Sequence, residues 1–237
     1  MEGIREKNEF QLLSEDRDDL KVEKNKVLFR NILFTGILIL YLIIIILLLR
    51  DNLQWFDLPL TMAVQSLESP LLTEIMKFFS FIGSTWVVII IAFINIIFFF
   101  FVFKYRSEVI FFVVTLSGST LLNSLLKNLF ERERPISHRL IEAPGYSFPS
   151  GHSMAAFTLY AVLAILLWNH LKTKTGKTIT IIVLSLFIFA IGISRIYLGV
   201  HYPSDVLGGY LTSFIWVFIS MHLFNKTRGR FACLKKN

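Results

Sequence analysis

The chain has one cysteine, Cys233, among 237 residues. A disulfide framework and a Cys-based zinc cluster are therefore excluded. Charge is scarce too: Asp, Glu, Lys and Arg make up 17% of the chain, against roughly 25% in an ordinary soluble domain. Acids become rarer along the sequence, and from residue 143 to the end Asp205 is the only one. No internal repeat or low-complexity linker divides the chain. What it has instead is 54% hydrophobic residues, with 24 Phe, a composition that excludes a disordered chain. These residues come in long blocks rather than at helical or strand spacing, which argues against a soluble globule.

A bilayer core about 30 Å thick needs roughly 20 mostly apolar residues in a helix to cross it. Six blocks approach or meet that length: 32–49, 78–103, 109–126, 154–168, 179–194 and 206–224. None contains Asp, Glu, Lys or Arg. The blocks are continuous, whereas a membrane barrel would show alternating segments of about ten residues. The expected fold is all-α, a polytopic bundle of six transmembrane helices. The first block reads as an uncleaved span, because some 30 mostly hydrophilic residues precede it. The expected organisation is a hydrophilic cytoplasmic tail over 1–30, a six-span domain over 31–225 and a basic cytoplasmic tail over 226–237. Residues 53–77 mix apolar and polar positions and read as an amphipathic helix on the outer surface, with Trp55 and Phe56 at the interface.

The net charge of +7 is topological rather than a nucleic-acid signal. Lys and Arg number 17 in 1–30, 104–108, 169–178 and 225–237, and seven in the alternate loops. Basic residues favour the cytoplasmic side, so both termini belong there and the alternate loops lie outside. Those outer loops carry Lys127, Arg134 and Arg195 against the sorting rule. An anionic ligand at the membrane surface is the simplest reason. Pro149-Ser150-Gly151-His152 opens the fourth span, where the unpaired N–H groups and dipole of a helix N-terminus attract anions. Gly151 would let a ligand approach the backbone, and His152 stands at the lip. His201 and Asp205 are four apart. With a helix starting near Pro203, the carboxylate can fold back, fix the imidazole tautomer and leave the other ring nitrogen free as nucleophile or base.

Other residues have plainer readings. Arg132, Arg139 and Lys104 read as lipid-headgroup anchors. His138, His170 and His222 read as structural. Gly208, Gly209 and the run 117–124 suit close helix packing, while Asn123, one turn before Lys127, could support that lysine.

At these residues the chain resembles the type 2 phosphatidic acid phosphatase (PAP2) family, lipid phosphatases related to vanadium haloperoxidases, and in particular its small bacterial members. The family signature has three parts: K-x6-R-P, P-S-G-H and S-R-x5-H-x3-D. Here they read Lys127 to Arg134-Pro135, Pro149-Ser150-Gly151-His152, and Ser194-Arg195 to His201 to Asp205. The resemblance implies that His201 attacks phosphorus, Asp205 orients it, and His152 protonates the leaving oxygen and then activates water. It also implies that Lys127, Arg134, Ser150, Gly151 and Arg195 hold the phosphoryl oxygens, with no metal and no cofactor. The expected partner is a lipid phosphate in the cell membrane, met at an extracytoplasmic active site: undecaprenyl pyrophosphate, phosphatidylglycerophosphate or phosphatidic acid. The loop 136–147 is expected to shape headgroup access. The same motifs would serve a lipid phosphotransferase. A haloperoxidase is disfavoured by the six spans, and an anion transporter by the lack of charges within them.

Overall fold

A computed structural model describes residues 2–101, 106–168 and 170–234. Lys104 and the end of the second block, at 102–103, lie outside them. Eight helices are described: α1 (Glu2–Leu49), α2 (Gln54–Gln65), α3 (Pro70–Ile82), α4 (Thr85–Phe101), α5 (Arg106–Phe130), α6 (Gly151–Trp168), α7 (Lys174–Tyr197) and α8 (Pro203–Leu234). No strand occurs among the described residues. The chain forms two compact units, one up to residue 42 and one from residue 43, and the site lies in the second.

Five stretches are single helices long and apolar enough to cross a membrane: Val27–Leu49, Arg106–Phe130, Gly151–Trp168, Lys174–Tyr197 and Pro203–Thr227. Helices α3 and α4 meet the same criteria only when taken together, as a pair bent by 54°, which gives five or six candidate crossings. The protein is a multi-pass membrane protein. Its surface agrees: Trp86, Ile89, Ile90, Phe93, Ile94 and Ile97 on α4 are all exposed, as suits a helix facing lipid rather than water.

The short fourth and fifth blocks reach full length by taking in polar residues. In α6 these include His152, and in α7 they include Arg195, so extending a span carries chemistry into its end. Helix α8 does begin at Pro203. Capping marks other starts: the Ser69 hydroxyl accepts from Leu72 N ahead of Pro70, and Thr173 accepts from Gly176 N.

Two expectations are corrected. The block 78–103 is not one straight span; it breaks at Gly83-Ser84 between α3 and α4. A Cβ on Gly83 would come within 2.5 Å of Ile191 and 3.3 Å of His152, so only a residue without one lets the break press against α7 and the start of α6. The segment 53–77 is not one interfacial helix but two helical pieces, α2 and the start of α3. Trp55 is exposed as expected, but Asp57 is 1% exposed and Thr61 is buried. Helix α2 packs on α7 and α8.

The core centres on α6, which packs against α4, α5, α7 and α8. Ala156, Leu159 and Val162 of α6 and Ile191 of α7 are fully buried. Some polar groups in this core find partners: Ser119 and Thr158 hydroxyls lie 2.8 Å apart, and Trp216 Nε1 donates to the Thr115 carbonyl at 2.8 Å, whereas the buried Thr115 hydroxyl has none among the described residues. Of the glycines expected in helix packing, Gly118 faces Trp216 of α8 and Gly209 faces Ser153 and Met154 of α6, whereas Gly208 meets Phe148 of the loop before α6.

Candidate active site

The turn between α7 and α8 creates the site's centre. Gly199 has φ +72°, a conformation that side chains rarely adopt, and a Cβ there would lie 1.7 Å from the His138 carbonyl oxygen. The chain then turns through Val200 and His201 into Pro203. Asp205, in the first turn of α8, folds back as the spacing predicts. Its Oδ2 lies 3.4 Å from His201 Nδ1 and accepts from Tyr202 N at 2.8 Å. Both residues are buried, His201 at 2% and Asp205 at 0% exposure. The Ser147 hydroxyl donates to the same Oδ2 and lies 3.3 Å from His201 Nδ1. The Asp205 main-chain carbonyl accepts from Ser150 N at 3.0 Å, tying the second signature segment to the third.

Arg134 settles the imidazole's state. Its Nη1 lies 3.0 Å from His201 Nε2, and arginine can only donate. Nε2 therefore accepts and the proton sits on Nδ1, facing Ser147 and Asp205. Burial pushes the His201 pKa down to about 4, against the pull of the Asp205 carboxylate, and Arg134 and Arg195 push the same way as burial. The ring is neutral at physiological pH, with its unprotonated lone pair on Nε2, where Arg134 donates to it.

That lone pair faces a cavity of about 1150 Å³. Lys127, Arg134, Gly151, His152, Arg195 and His201 line one part of it, and Glu142 is the only acid among the described residues that line it. Arg134 is anchored by three carbonyls: Pro144 at 3.0 Å, Gly145 at 2.8 Å and Val200 at 2.8 Å. Lys127 donates to the Tyr146 carbonyl. The loop 136–147 therefore builds the cation cluster as well as bordering the cavity. Arg195 is 4% exposed; it donates to the Ser80 hydroxyl, and its Nε has no partner. An orphaned guanidinium N–H of this kind is a donor awaiting an acceptor. Gly151 and His152 head α6, where backbone N–H groups lack internal partners.

The structure thus brings together Lys127, Arg134, Gly151, His152, Arg195 and His201, with Asp205 directly behind. Ser150 differs. It is fully buried, its hydroxyl accepts from Ser153 N at 3.4 Å and Ser153 Oγ at 2.9 Å, and it does not line the cavity. Asn123 donates to the Pro149 carbonyl at 3.1 Å, bracing the loop before α6; a Cβ on Gly151 would sit 3.1 Å from the Asn123 Oδ1. Arg132 is no headgroup anchor: it donates to Asp57 and Asp205, each at 2.7 Å. Arg139 donates to the Pro135 and Arg134 carbonyls. His138 pairs with Glu68 at 2.6 Å, a structural role as expected.

The family model of the PAP2 superfamily matches residues 108–228. The chain belongs to that superfamily. It is 32% identical over 185 residues to phosphatidylglycerophosphatase B of Bacillus subtilis, covering 77% of this chain and 90% of that protein. A crystal structure of a transmembrane PAP2-type phosphatidylglycerolphosphate phosphatase from Bacillus subtilis superposes with a TM-score of 0.75 at 29% identity, over 81% of this chain and 96% of that one. The LpxE structure from Aquifex aeolicus superposes with a TM-score of 0.56 at 32% identity, over 70% and 94%. The all-α membrane PAP2 fold and phosphatase activity follow.

Four residues were invisible to sequence reasoning: Asp57, Lys77, Ser80 and Ser147. Asp57 bonds Arg132, Ser80 holds Arg195, Lys77 lines the cavity and Ser147 bonds Asp205. Each lies outside the signature positions, and nothing local marks it as part of the site.

Proposed function

We propose that the protein hydrolyses the phosphomonoester or pyrophosphate of a membrane lipid through a phosphohistidine on His201. One observation carries the reading: the cavity that holds the cations is continuous with an apolar corridor. Val88, Ile89, Ala92, Phe93 and Ile96 of α4 and Phe112, Val113 and Leu116 of α5 line it. Phe93 and Val113 are also exposed on the surface, so the corridor reaches the lipid-facing side. A phosphate at the polar end can keep its hydrocarbon tail in the corridor.

His201 Nε2 attacks phosphorus as the bond from phosphorus to the leaving oxygen breaks, and His152 gives that oxygen its proton. Asp205 stabilises the imidazolium that forms. His152 then takes a proton from water, whose oxygen attacks phosphorus. Inorganic phosphate leaves and His201 returns to its neutral form. Lys127, Arg134, Arg195 and the Gly151 amide stabilise the equatorial oxygens, supplying the charge compensation without a metal. The buried Ser150 hydroxyl contributes by capping α6 and so aiming that amide. Candidate substrates are phosphatidylglycerophosphate, phosphatidic acid and undecaprenyl pyrophosphate. The name of the Bacillus subtilis relative supports the first.

The asymmetry of 17 basic residues against seven supports cytoplasmic termini and an extracytoplasmic site in the cell membrane. The catalytic domain runs over 31–225, between the two tails. The test is phosphate release from these lipids in detergent, with His152→Ala and His201→Ala alongside. Both variants should lose activity, and wild type should yield an acid-labile phosphoenzyme. Release at the normal rate from His201→Ala would sink the mechanism.

A further inference from the structure

Asp57 lies on α2, outside the membrane crossings, yet is 1% exposed. A buried carboxylate is costly unless paired and hydrogen-bonded. Asp57 Oδ1 accepts from Ser204 N at 2.9 Å, and Oδ2 accepts from Ser204 Oγ at 2.7 Å and Arg132 Nη2 at 2.7 Å. The other arm of the same guanidinium, Nη1, donates to Ser204 Oγ and Asp205 Oδ1, both at 2.7 Å. Arg132 also covers the Tyr202 ring at 4.4 Å. Burial works against its charge, but Asp205 and Asp57 outweigh burial and raise its pKa above the ordinary arginine value.

A buried ion pair is weak evidence for anything beyond packing, because apolar groups of similar shape often stabilise equally well. What distinguishes this one is where it ends. Asp205 has one oxygen on Arg132 and the other turned to His201, Ser147 and Tyr202 N, so Arg132 stops the carboxylate from rotating. Charge matters as well. Arg132 alone would neutralise Asp205 and weaken its hold on a forming imidazolium. Asp57 shares that cation, so Asp57, Arg132 and Asp205 together keep one negative charge beside His201. The Asp57 bonds to Ser204 N and Oγ also pin the first turn of α8, which carries Asp205.

The geometry points to Asp57 and Arg132 as positioning residues for the nucleophile, acting through Asp205. Neither lines the cavity or touches the phosphoryl group. The inference rests on the phosphohistidine reading above.

A double-mutant cycle tests it. Asp57→Asn keeps the shape and removes the charge; it should lower kcat about tenfold with KM within twofold. In Asp205→Asn protein the same change should cost less than twofold, because the route to His201 is already cut. Where Asp205→Asn turns over too slowly, single-turnover formation of the phosphoenzyme gives the same comparison. Melting temperature and monodispersity in detergent check folding. If Asp57→Asn does not fold, Arg132→Lys carries the cycle, since lysine lacks the fork that spans two carboxylates. Equal losses in both backgrounds, or a normal kcat per folded molecule with only a lowered melting temperature, overturn the inference. His201→Ala separates the two readings. Turnover in that variant refutes the phosphohistidine itself, whereas an inactive His201→Ala beside additive Asp57 and Asp205 effects refutes only the positioning role.

Discussion

Gly145 and Gly199 share the same backbone conformation, φ +72°, and differ in surroundings, so alanine at each isolates the effect of space. A side chain in the left-handed region costs roughly 1–2 kcal/mol. The stiffer unfolded chain returns about 0.4–1 kcal/mol. At Gly145 nothing lies within 4 Å of an added Cβ, so Gly145→Ala should cost about 1 kcal/mol in stability. At Gly199 the Cβ would lie 1.7 Å from the His138 carbonyl oxygen and 3.0 Å from Gln65 Nε2. Restoring ordinary contact of about 3.5 Å needs a movement of about 1.8 Å. That movement strains the bond from Gln65 Nε2 to His138 O (3.1 Å) and the nearby bond from Leu140 N to Leu198 O (3.0 Å). Overpacking costs about 1–3 kcal/mol, and each lost hydrogen bond about 0.5–1.5 kcal/mol. Gly199→Ala should therefore be less stable than Gly145→Ala by about 3 kcal/mol. Catalysis should suffer as well, because Val200 O holds Arg134 and His201 follows directly. Thermal unfolding of both variants in one detergent measures the difference. Equal melting temperatures, or a less stable Gly145→Ala, would refute the reasoning.

Other outcomes follow from the site. His201, held at about pKa 4 mainly by burial, should stay neutral from pH 8 to pH 5. Its folded pKa lies below the unfolded value near 6.5, so the unfolded chain binds the extra proton and stability falls as pH drops from about 6.5 towards 4. Histidine-labelled NMR checks this, and a His201 midpoint at 6 or above contradicts the burial argument. Arg134→Lys keeps the charge but cannot hold three carbonyls and Nε2 in one plane; kcat/KM for a lipid phosphate should fall about 100-fold, and a loss under threefold would show that charge alone suffices. Ala92→Trp should fill the apolar corridor and raise KM for a long-chain lipid phosphate at least tenfold. It should spare a short, water-soluble phosphomonoester; equal effects on both substrates would place the tail elsewhere.

Much of the molecule is legible in the sequence because the governing physics is local. Apolar length sets a membrane crossing, so five of the six blocks coincide with single helices. The block at 78–103 misleads because hydropathy carries no direction: Gly83 is as apolar in a straight span as in a 54° bend. The pairing of His201 with Asp205 is legible because four residues and a helix start at Pro203 nearly determine where the carboxylate goes. Ser150 is only half legible. The helix N-terminus it marks is real, but its hydroxyl turns inward to Ser153, a choice made by burial.

Arg132 and Arg134 show where sequence reading ends. They are two residues apart and chemically identical, yet Arg134 faces the cavity and His201 Nε2 while Arg132 faces away, towards Asp57 and Asp205. No local rule separates them, because Arg132's partners lie 75 and 73 positions away. The sequence by itself determined the membrane class and the family, and it put forward the candidate site residues, since each depends on composition or on spacing within one element. Only the tertiary structure decided that α2 closes over the back of the site and places a second buried carboxylate there. A charge can be buried only where distant elements converge to compensate it, and that convergence belongs to the fold.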